Sequence, residues 1–300
     1  MTETKPLVLI AGVTGMLGGQ IADALIAKGA RVRAIVRDMN GKADALRPLD
    51  NAGVELIEGD VTKPGTLGRA MEGVDTVVSA LNNQESLILD GQANLLYAAE
   101  QAGVKRFLPS DFSGDFRALQ LGDNDNLDMR IRFREILLKS SVAHTSVLNG
   151  AFYEVVLAPF LEMFDLQKGV FQYWGNGDTK MDFTHTSDAA KYTAEAALDD
   201  GLANQTLMVA AEQLTAFELH ELFETATGRK LEKRPMGSIQ DLQAEIARRR
   251  ETAQNPWSYI GLQYIYMMAS GLGKLTPVMN HRYPHIQPMR LREFFQTAVR

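Results

Sequence analysis

Three glycines near the start of the chain have the spacing of a phosphate-binding turn. Residues 12–18 read Gly-Val-Thr-Gly-Met-Leu-Gly, between an apolar strand pattern and a helical pattern. Glycine is needed here because a Cβ atom would block the tight bend and the approach of a diphosphate. The following helix offers N–H donors and positive partial charge at its N-terminus. The motif predicts a dinucleotide site with contacts from Gly12, Thr14, Gly15, Met16, Leu17 and Gly18.

The residues after the second predicted strand bear on the choice between NAD and NADP. The chain reads Ile-Val-Arg-Asp at residues 35–38. An acidic side chain at this position binds the ribose diol of NAD, whereas an arginine binds the 2'-phosphate of NADP. Arg37 comes first, Lys42 offers a second cation, and Asp38 is explained as the cap of the next helix. We therefore expect NADP(H) as the cofactor.

Two later segments follow the third and fourth predicted strands, at the sheet edge where the adenosine half should lie. Position alone predicts that they contact the cofactor. Asp60 is explained equally well as a helix cap before residues 62–64, and both interpretations stay open. The predicted contacts here are Asp60, Val61, Ala80, Leu81 and Asn82.

Short runs rich in Val, Ile and Leu alternate with helical patterns through the first half of the chain, which is typical of repeated βαβ units. We predict an α/β fold in which a doubly wound parallel sheet, a Rossmann domain, occupies residues 1–152. Segments near 182–210 are expected to return to it, and residues 153–300 to form mainly a smaller substrate-binding domain. The predicted strands are 7–11, 32–36, 54–57, 76–80, 106–109, 144–148 and 206–210, and the predicted helices are 16–28, 64–71, 87–101 and 127–139.

The composition limits which binding partners and which cellular compartment are expected for the chain. The 300 residues carry a formal charge of −6 without a basic stripe, so nucleic acid is not expected as a partner. The absence of cysteine excludes disulfides and thiolate metal sites and agrees with a reducing cytoplasm. No secretory signal or membrane span is expected. Pro284 interrupts the pair His281 and His285, so no metal site is expected.

Several motifs together resemble the NmrA-like and isoflavone-reductase-like group of atypical short-chain dehydrogenases. Besides the glycine turn, they are the run Gly103–Phe112, the segment Asn149–Phe152, the block Asp182–Thr184, and Tyr283–Ile286 before a terminal helix. The resemblance spans nearly the whole chain. It implies that the residues bordering the nicotinamide ring are Ser110, Asp111, Phe112, Asn149, Gly150 and Phe152.

The catalytic group departs from known patterns. No tyrosine has a lysine four residues later, so the acid/base pair of ordinary short-chain dehydrogenases is missing. The resemblance implies a lysine on the helix before strand 144–148, but Arg130 and Arg132 stand there. Arginine stays protonated to about pH 12, so it can stabilise an oxyanion but donates a proton poorly. Tyr153 is an alternative acid. In the structural alternative, the arginines lie on a solvated face of the helix and take no part in catalysis.

Two functions agree with these features. The first is an NADPH-dependent reductase that transfers hydride to a small aromatic substrate of the lignan, isoflavonoid, phenylcoumaran or quinone kind. Aromatic residues near 152–164 and 257–268 could wall its cleft, although such clusters are more often core. The second is a non-catalytic, NADP(H)-sensing regulator with a protein partner. The sequence leaves the oligomeric state open, a homodimer included.

Overall fold

A computed structural model describes residues 5–41 and 43–299 of the chain. Its strands and helices alternate through the first half, as expected for βαβ units. The strands are β1 Leu7–Ala11, β2 Arg31–Val36, β3 Glu55–Glu58, β4 Thr76–Ser79, β5 Arg106–Leu108, β6 Ala143–Leu148, β7 Ala151–Phe152, β8 Phe164–Asp165, β9 Val170–Tyr173, β10 Met181–Thr184, β11 Gln205–Met208, β12 Glu212–Leu214 and β13 Glu232–Pro235. The helices are α1 Met16–Ala27, α2 Ala43–Asn51, α3 Gly68–Met71, α4 Gln92–Gln101, α5 Asp125–Leu137, α6 Tyr153–Val156, α7 Thr186–Leu198, α8 Ala216–Thr227, α9 Ile239–Thr252, α10 Trp257–Ala269 and α11 Leu291–Ala298.

Seven strands of the described chain form one sheet in the order β11-β6-β5-β4-β1-β2-β3. The neighbours of β1 on both sides run parallel to it, as do the pairs β2–β3, β4–β5 and β5–β6. The strand order therefore reverses direction at β1, which creates a crevice at the carboxyl ends of β1 and β4. The predicted doubly wound Rossmann sheet is confirmed.

Strand β1 shows why this sheet forms. All five of its residues are apolar and fully buried, as expected for a central parallel strand that is covered on both faces. Leu9 belongs to a core cluster with Leu95 of α4 and Phe133 of α5. Each such side chain contributes about 1.5–3 kcal/mol by leaving water. This packing holds the carboxyl edge of the sheet in place.

The chain divides into two compact units. Unit 1 comprises the described residues up to Asp111 together with Met129–Val147 and Ala189–Leu207. Unit 2 comprises Phe112–Asp128, Leu148–Asp188 and the described residues from Met208 onward. The assignment of residues 1–152 to cofactor binding, with returning segments near 182–210, and of 153–300 mainly to substrate binding stays a prediction.

Unit 2 has two small sheets, β12-β10-β7 and β13-β9-β8, among the residues that the structure describes. An aromatic core lies beside the second sheet. The ring of Phe164 packs at 4.9 Å from both Phe171 and Phe223, and Phe295 of α11 closes the cluster. Trp257, by contrast, stays half exposed beside Phe160. Within the described chain, the helices are too short or too polar to span a bilayer.

Candidate functional site

The glycine turn joins β1 to α1 through contacts that leave no room for side chains. Gly12 has φ +96°, and a Cβ atom there would lie 2.8 Å from the carbonyl carbon of Ala80. A Cβ atom at Gly18 would lie 2.8 Å from the carbonyl carbon of Gly12. Real Cβ atoms do not approach backbone so closely, so both positions require glycine. The turn is thereby held against the end of β4 and against the first turn of its own helix.

The N-terminus of α1 is open to an anion. Its N-cap is Gly15, which has no side chain to accept a hydrogen bond, and its first turn contains no acidic residue. The first helical hydrogen bond runs from Gly19 N–H to the Gly15 carbonyl oxygen at 2.9 Å. The N–H groups of Met16, Leu17 and Gly18 precede it and lack a capping side chain. Three donors and the positive helix end fit a diphosphate.

In the part of the ribose edge that the structure describes, Arg37 lies near two engaged carboxylates, Asp38 and Asp60. In the β2–β3 ladder, Gly59 N–H donates to the Val36 carbonyl oxygen at 3.0 Å, so the residues after the two strands lie side by side. Arg37 is exposed and, in the ranges described, forms neither a hydrogen bond nor an ion pair. Asp38 accepts a 2.7 Å hydrogen bond from the N–H of Gly41 and so closes a local turn.

Asp60 is likewise engaged in its own turn. Its Oδ1 accepts the N–H of Thr62 at 3.0 Å and the Thr62 hydroxyl at 2.8 Å. These hydrogen bonds, together with the charges of Lys63 and Arg37, lower the pKa of the Asp60 carboxyl. Asp60 therefore closes a turn with Thr62, whereas the short helix Pro64–Thr66 has Lys63 as its N-cap and no capping side chain, so Asp60 is not the cap of that helix. Lys42, the second cation predicted for NADP, lies outside the described residues.

Arg130 braces the loops that follow β4 and β5. Its side chain is 5% exposed, and Nε donates to the Ser110 carbonyl oxygen at 2.9 Å while Nη2 donates to Asn83 Oδ1 at 2.6 Å. Ser110 in turn donates its hydroxyl to the Leu81 carbonyl oxygen at 2.8 Å and its N–H to Gln92 Oε1 at 2.8 Å. This network brings the predicted residues Leu81, Ser110 and Arg130 together.

Arg132, the other arginine candidate, lies apart from this network. Its side chain is half exposed, and its nearest acidic partner is Glu85, at 3.7 Å. A pair of this kind contributes little to stability. The two arginines therefore differ in environment although they are two residues apart in the sequence.

Asp111 is a buried acid next to Ser110. Its carboxylate accepts a hydrogen bond from the hydroxyl of Ser146 on β6. Burial raises the pKa of Asp111 to about 6, although the Ser146 hydroxyl and the charges of Arg130 and Arg134 oppose the shift. A raised pKa on a carboxyl at the end of a central strand is a common property of functional sites.

In unit 2, the predicted segment Asn149–Phe152 is fixed through its backbone. The N–H groups of Asn149 and Gly150 both donate to the Ser113 carbonyl oxygen, at 2.9 and 3.0 Å. Gly150 has φ +69°, and a Cβ atom there would collide with the backbone of Asp182. Asn149 is fully buried, and no described atom hydrogen-bonds its Oδ1. The nicotinamide roles of Phe112, Asn149, Gly150 and Phe152 stay predictions.

Tyr153 starts α6 and is fully buried. Its hydroxyl donates to the Met289 carbonyl oxygen at 3.1 Å, and its ring contacts His185 and Phe294. Burial, with nearby carboxylates, raises the pKa of the phenol well above its ordinary value. Because the hydroxyl is engaged and weakly acidic, we do not assign proton donation to Tyr153.

A charged pair of unit 2, Asp182 and Lys274, is marked by no sequence motif. The buried carboxylate of Asp182 on β10 accepts a hydrogen bond from the ammonium group of Lys274. It also accepts the N–H of Leu275 at 2.8 Å and the side-chain amide of Gln213 at 2.7 Å. Lys274 was absent from the predicted site because 92 residues separate it from Asp182 and no local motif marks it.

A glycine turn and an uncapped helix at the reversal point of a doubly wound sheet define the dinucleotide-binding Rossmann proteins. Within that class the chain belongs to the NmrA-like family, whose sequence profile it matches over residues 4–260. The resemblance identified from the motifs is confirmed.

Named relatives cover most of the chain. Pinoresinol reductase 2 of Arabidopsis thaliana is 31% identical over 244 residues, which are 76% of this chain and 77% of the relative. Isoflavone reductase homolog IRL of Zea mays is 31% identical over 245 residues, with 76% and 77% covered. A solved structure of AtPrR2 with NADP+ and (+)pinoresinol is similar with a TM-score of 0.85 and 27% identity, covering 98% of this chain and 99% of that chain.

Proposed function

We propose that this chain is an NADPH-dependent reductase that transfers hydride to a small aromatic substrate. The observation that carries the proposal is the uncapped N-terminus of α1, which lies beside the close backbone contacts of Gly12 and Gly18. Its backbone N–H groups are hydrogen-bond donors that fit the diphosphate of a dinucleotide. When bound, NADPH supplies the hydride. The chain's own residues bind it, orient it and shield it from water.

Two parts of the cofactor, the diphosphate and the 2'-phosphate, are assigned to different features of unit 1. The N–H groups of Met16, Leu17 and Gly18 hold the diphosphate, and the exposed guanidinium of Arg37 holds the 2'-phosphate. The Asp60 carboxylate is engaged in its own turn through hydrogen bonds from Thr62. The further residues proposed for the adenosine half are Val61, Ala80, Leu81 and Asn82.

Arg130 has a positioning role in this proposal. Its guanidinium holds the Ser110 carbonyl oxygen and the Asn83 side chain, so it fixes the two loops at the carboxyl ends of β4 and β5. Because arginine keeps its proton, Arg130 contributes a fixed positive charge and not a transferable proton. Asp111 beside it is buried, and its raised pKa keeps that acid less charged than an exposed aspartate.

The substrate class follows from the relatives. Proteins named pinoresinol reductase and isoflavone reductase homolog match more than three quarters of this chain, and AtPrR2 has been solved with (+)pinoresinol. We therefore propose a lignan, isoflavonoid, phenylcoumaran or quinone-like substrate. The cysteine-free composition supports activity in the reducing cytoplasm. The proposal is independent of whether the chain is a monomer or a homodimer.

The test is reduction of a panel of such aromatic compounds, pinoresinol first, with NADPH and with NADH. We expect NADPH absorbance to fall only when substrate is present, NADH to be a poor donor, and the product to gain two hydrogens by mass spectrometry. NADPH binding without turnover of any panel member would instead favour the non-catalytic regulator. In that case a pull-down would recover a protein partner to different extents with NADP+ and NADPH.

A further inference from the structure

Met16 is the first residue of α1, and its side chain lies at the protein surface. The residue is 59% exposed, and the two residues before it, Thr14 and Gly15, are exposed as well. Among the methionines that the structure describes, the next most exposed is Met236, at 37%, and the others are buried or half-buried. Met16 is therefore the methionine that solvent reaches most easily in the described chain.

The backbone on either side of Met16 is held in place. The N–H of Gly15 donates to the Gly12 carbonyl oxygen at 3.0 Å, and the N–H of Gly19 donates to the Gly15 carbonyl oxygen at 2.9 Å. Since a Cβ atom at Gly18 would lie 2.8 Å from the Gly12 carbonyl carbon, the helix and the turn are already in contact. Met16 therefore stays at the surface, beside the free N–H groups of the helix N-terminus.

The sulfur chemistry of this chain is confined to methionine. The sequence contains 13 methionines and no cysteine, so no thiol competes for an oxidant. A peroxide converts a thioether to a sulfoxide, which changes a flexible apolar side chain into a polar one. Met71 and Met267 are 1% and 4% exposed, so the protein shields their sulfur atoms from solvent. An oxidant in solution therefore meets Met16 before it meets these residues.

We propose that Met16 is an oxidation site whose sulfoxide weakens the binding of NADP(H), an inference that rests on the diphosphate site proposed above. The co-reactant is hydrogen peroxide. The thioether sulfur attacks one peroxide oxygen, an S–O bond forms and the O–O bond breaks. The second oxygen leaves as hydroxide and takes the proton of the transferred oxygen, which gives water. The sulfur is oxidised by two electrons, and the peroxide is reduced by two.

The sulfoxide and the diphosphate compete for the same place. The new S=O oxygen is a hydrogen-bond acceptor with negative partial charge, next to the N–H groups of Met16, Leu17 and Gly18. A diphosphate needs these donors and is repelled by negative charge beside them. In the opposite direction, a bound dinucleotide covers Met16 and keeps peroxide away from its sulfur. Oxidation lowers cofactor affinity, and cofactor binding slows oxidation.

The first test follows oxidation itself. The whole chain is treated with hydrogen peroxide, free or saturated with NADP+, and sulfoxides are located by peptide mass spectrometry. We expect Met16 to be oxidised first in the free protein, and NADP+ to slow the oxidation of Met16 but not that of Met236. Met236 is the internal control because it is exposed but belongs to unit 2. Equal rates at Met16 with and without NADP+ would overturn the proposal.

The second test measures NADP+ affinity by calorimetry before and after peroxide treatment. Because the sulfoxide perturbs hydrogen bonds to a charged group, we expect a fall of about 10-fold or more, and recovery after treatment with methionine sulfoxide reductase. Met16→Leu removes the sulfur, so its affinity should be the same before and after peroxide. Met236→Leu, the matched control, should stay as sensitive to peroxide as the wild type.

The two proposals fail in different ways. If the untreated wild type does not bind NADP+, the cofactor site proposed above fails. If the untreated protein binds NADP+ and the Met16 sulfoxide binds it equally well, only the inference on Met16 fails. Loss of affinity in peroxide-treated Met16→Leu would likewise show that another residue is responsible.

Discussion

The Nε atom of Arg130 lies 2.9 Å from the carbonyl oxygen of Ser110, and this contact joins α5 to the loop after β5. Removing the guanidinium leaves a buried carbonyl oxygen and the Asn83 side chain without their donor. We expect Arg130→Met to lower the free energy of unfolding by about 2–3 kcal/mol, measured by urea denaturation. Arg132→Met, on the same helix but half exposed, should change it by less than about 1 kcal/mol. Equal effects of the two substitutions would contradict the stabilising role of the Arg130 hydrogen bonds.

Gly18→Ala tests whether the glycine turn binds the diphosphate of the dinucleotide. The new methyl group would overlap the Gly12 carbonyl group, so the turn must shift away from the position that fits a diphosphate. We expect NADPH affinity to fall by at least about 10-fold, or about 1.4 kcal/mol, by calorimetry. Gly19→Ala is the matched control, because its Cβ would meet Val13 at an ordinary 3.4 Å. That control should bind NADPH normally and gain about 0.5–1 kcal/mol of stability.

Local sequence signals predicted the first unit well. Strand β1 is apolar at every position and is bounded by the glycine turn, so its burial and its place in the sheet follow from the pattern. The helix predicted at 127–139 is found at Asp125–Leu137, a shift of two residues at each end. The single helix predicted at 87–101 is divided into a π-helical turn, Ser86–Gly91, and α4. Hydrophobic spacing does not distinguish these two kinds of turn.

The contacts that define the candidate site were less accessible to sequence reasoning. Arg130 could be placed on its helix, but its burial against Ser110 depends on how α5 packs over the sheet. The pair of Asp182 and Lys274 joins segments that no periodicity connects. The short strands of unit 2 were missed because strands of two to four residues carry too few positions for an alternating pattern.

Arg37→Met should separate the two nicotinamide cofactors. Loss of a charge-assisted hydrogen bond to the 2'-phosphate costs about 1.5–3 kcal/mol, so NADPH affinity should fall by roughly 10- to 150-fold. NADH affinity should be unchanged because NADH lacks that phosphate. Arg31→Met, an exposed arginine at the other end of β2, is the control. An unchanged preference for NADPH in Arg37→Met would show that another cationic side chain binds the 2'-phosphate.

Asp111 should make stability depend on pH in an unusual direction. Its folded-state pKa of about 6 lies above the ordinary 3.8, so between these values the folded protein binds more protons than the unfolded chain. The contribution of this group to stability therefore falls as pH rises from about 4 through 6. Asp111→Asn should remove this slope and raise stability at pH 7.5 by up to about 3 kcal/mol. Urea denaturation of the wild type and the variant at pH 4.5 and 7.5 measures the free energy of unfolding. The same change between the two pH values in both proteins would contradict the raised pKa of Asp111.

The bare N-cap of α1 has a consequence for the free protein. With glycine at that position, the helix has no side chain of its own to complete its first turn, so we expect a bound coenzyme to supply the missing hydrogen-bond acceptors. A ligand that binds only the native state stabilises it in proportion to the logarithm of its concentration. The lifetime of this enzyme in a cell should therefore follow the supply of reducing coenzyme, with depleted pools exposing the chain to proteolysis.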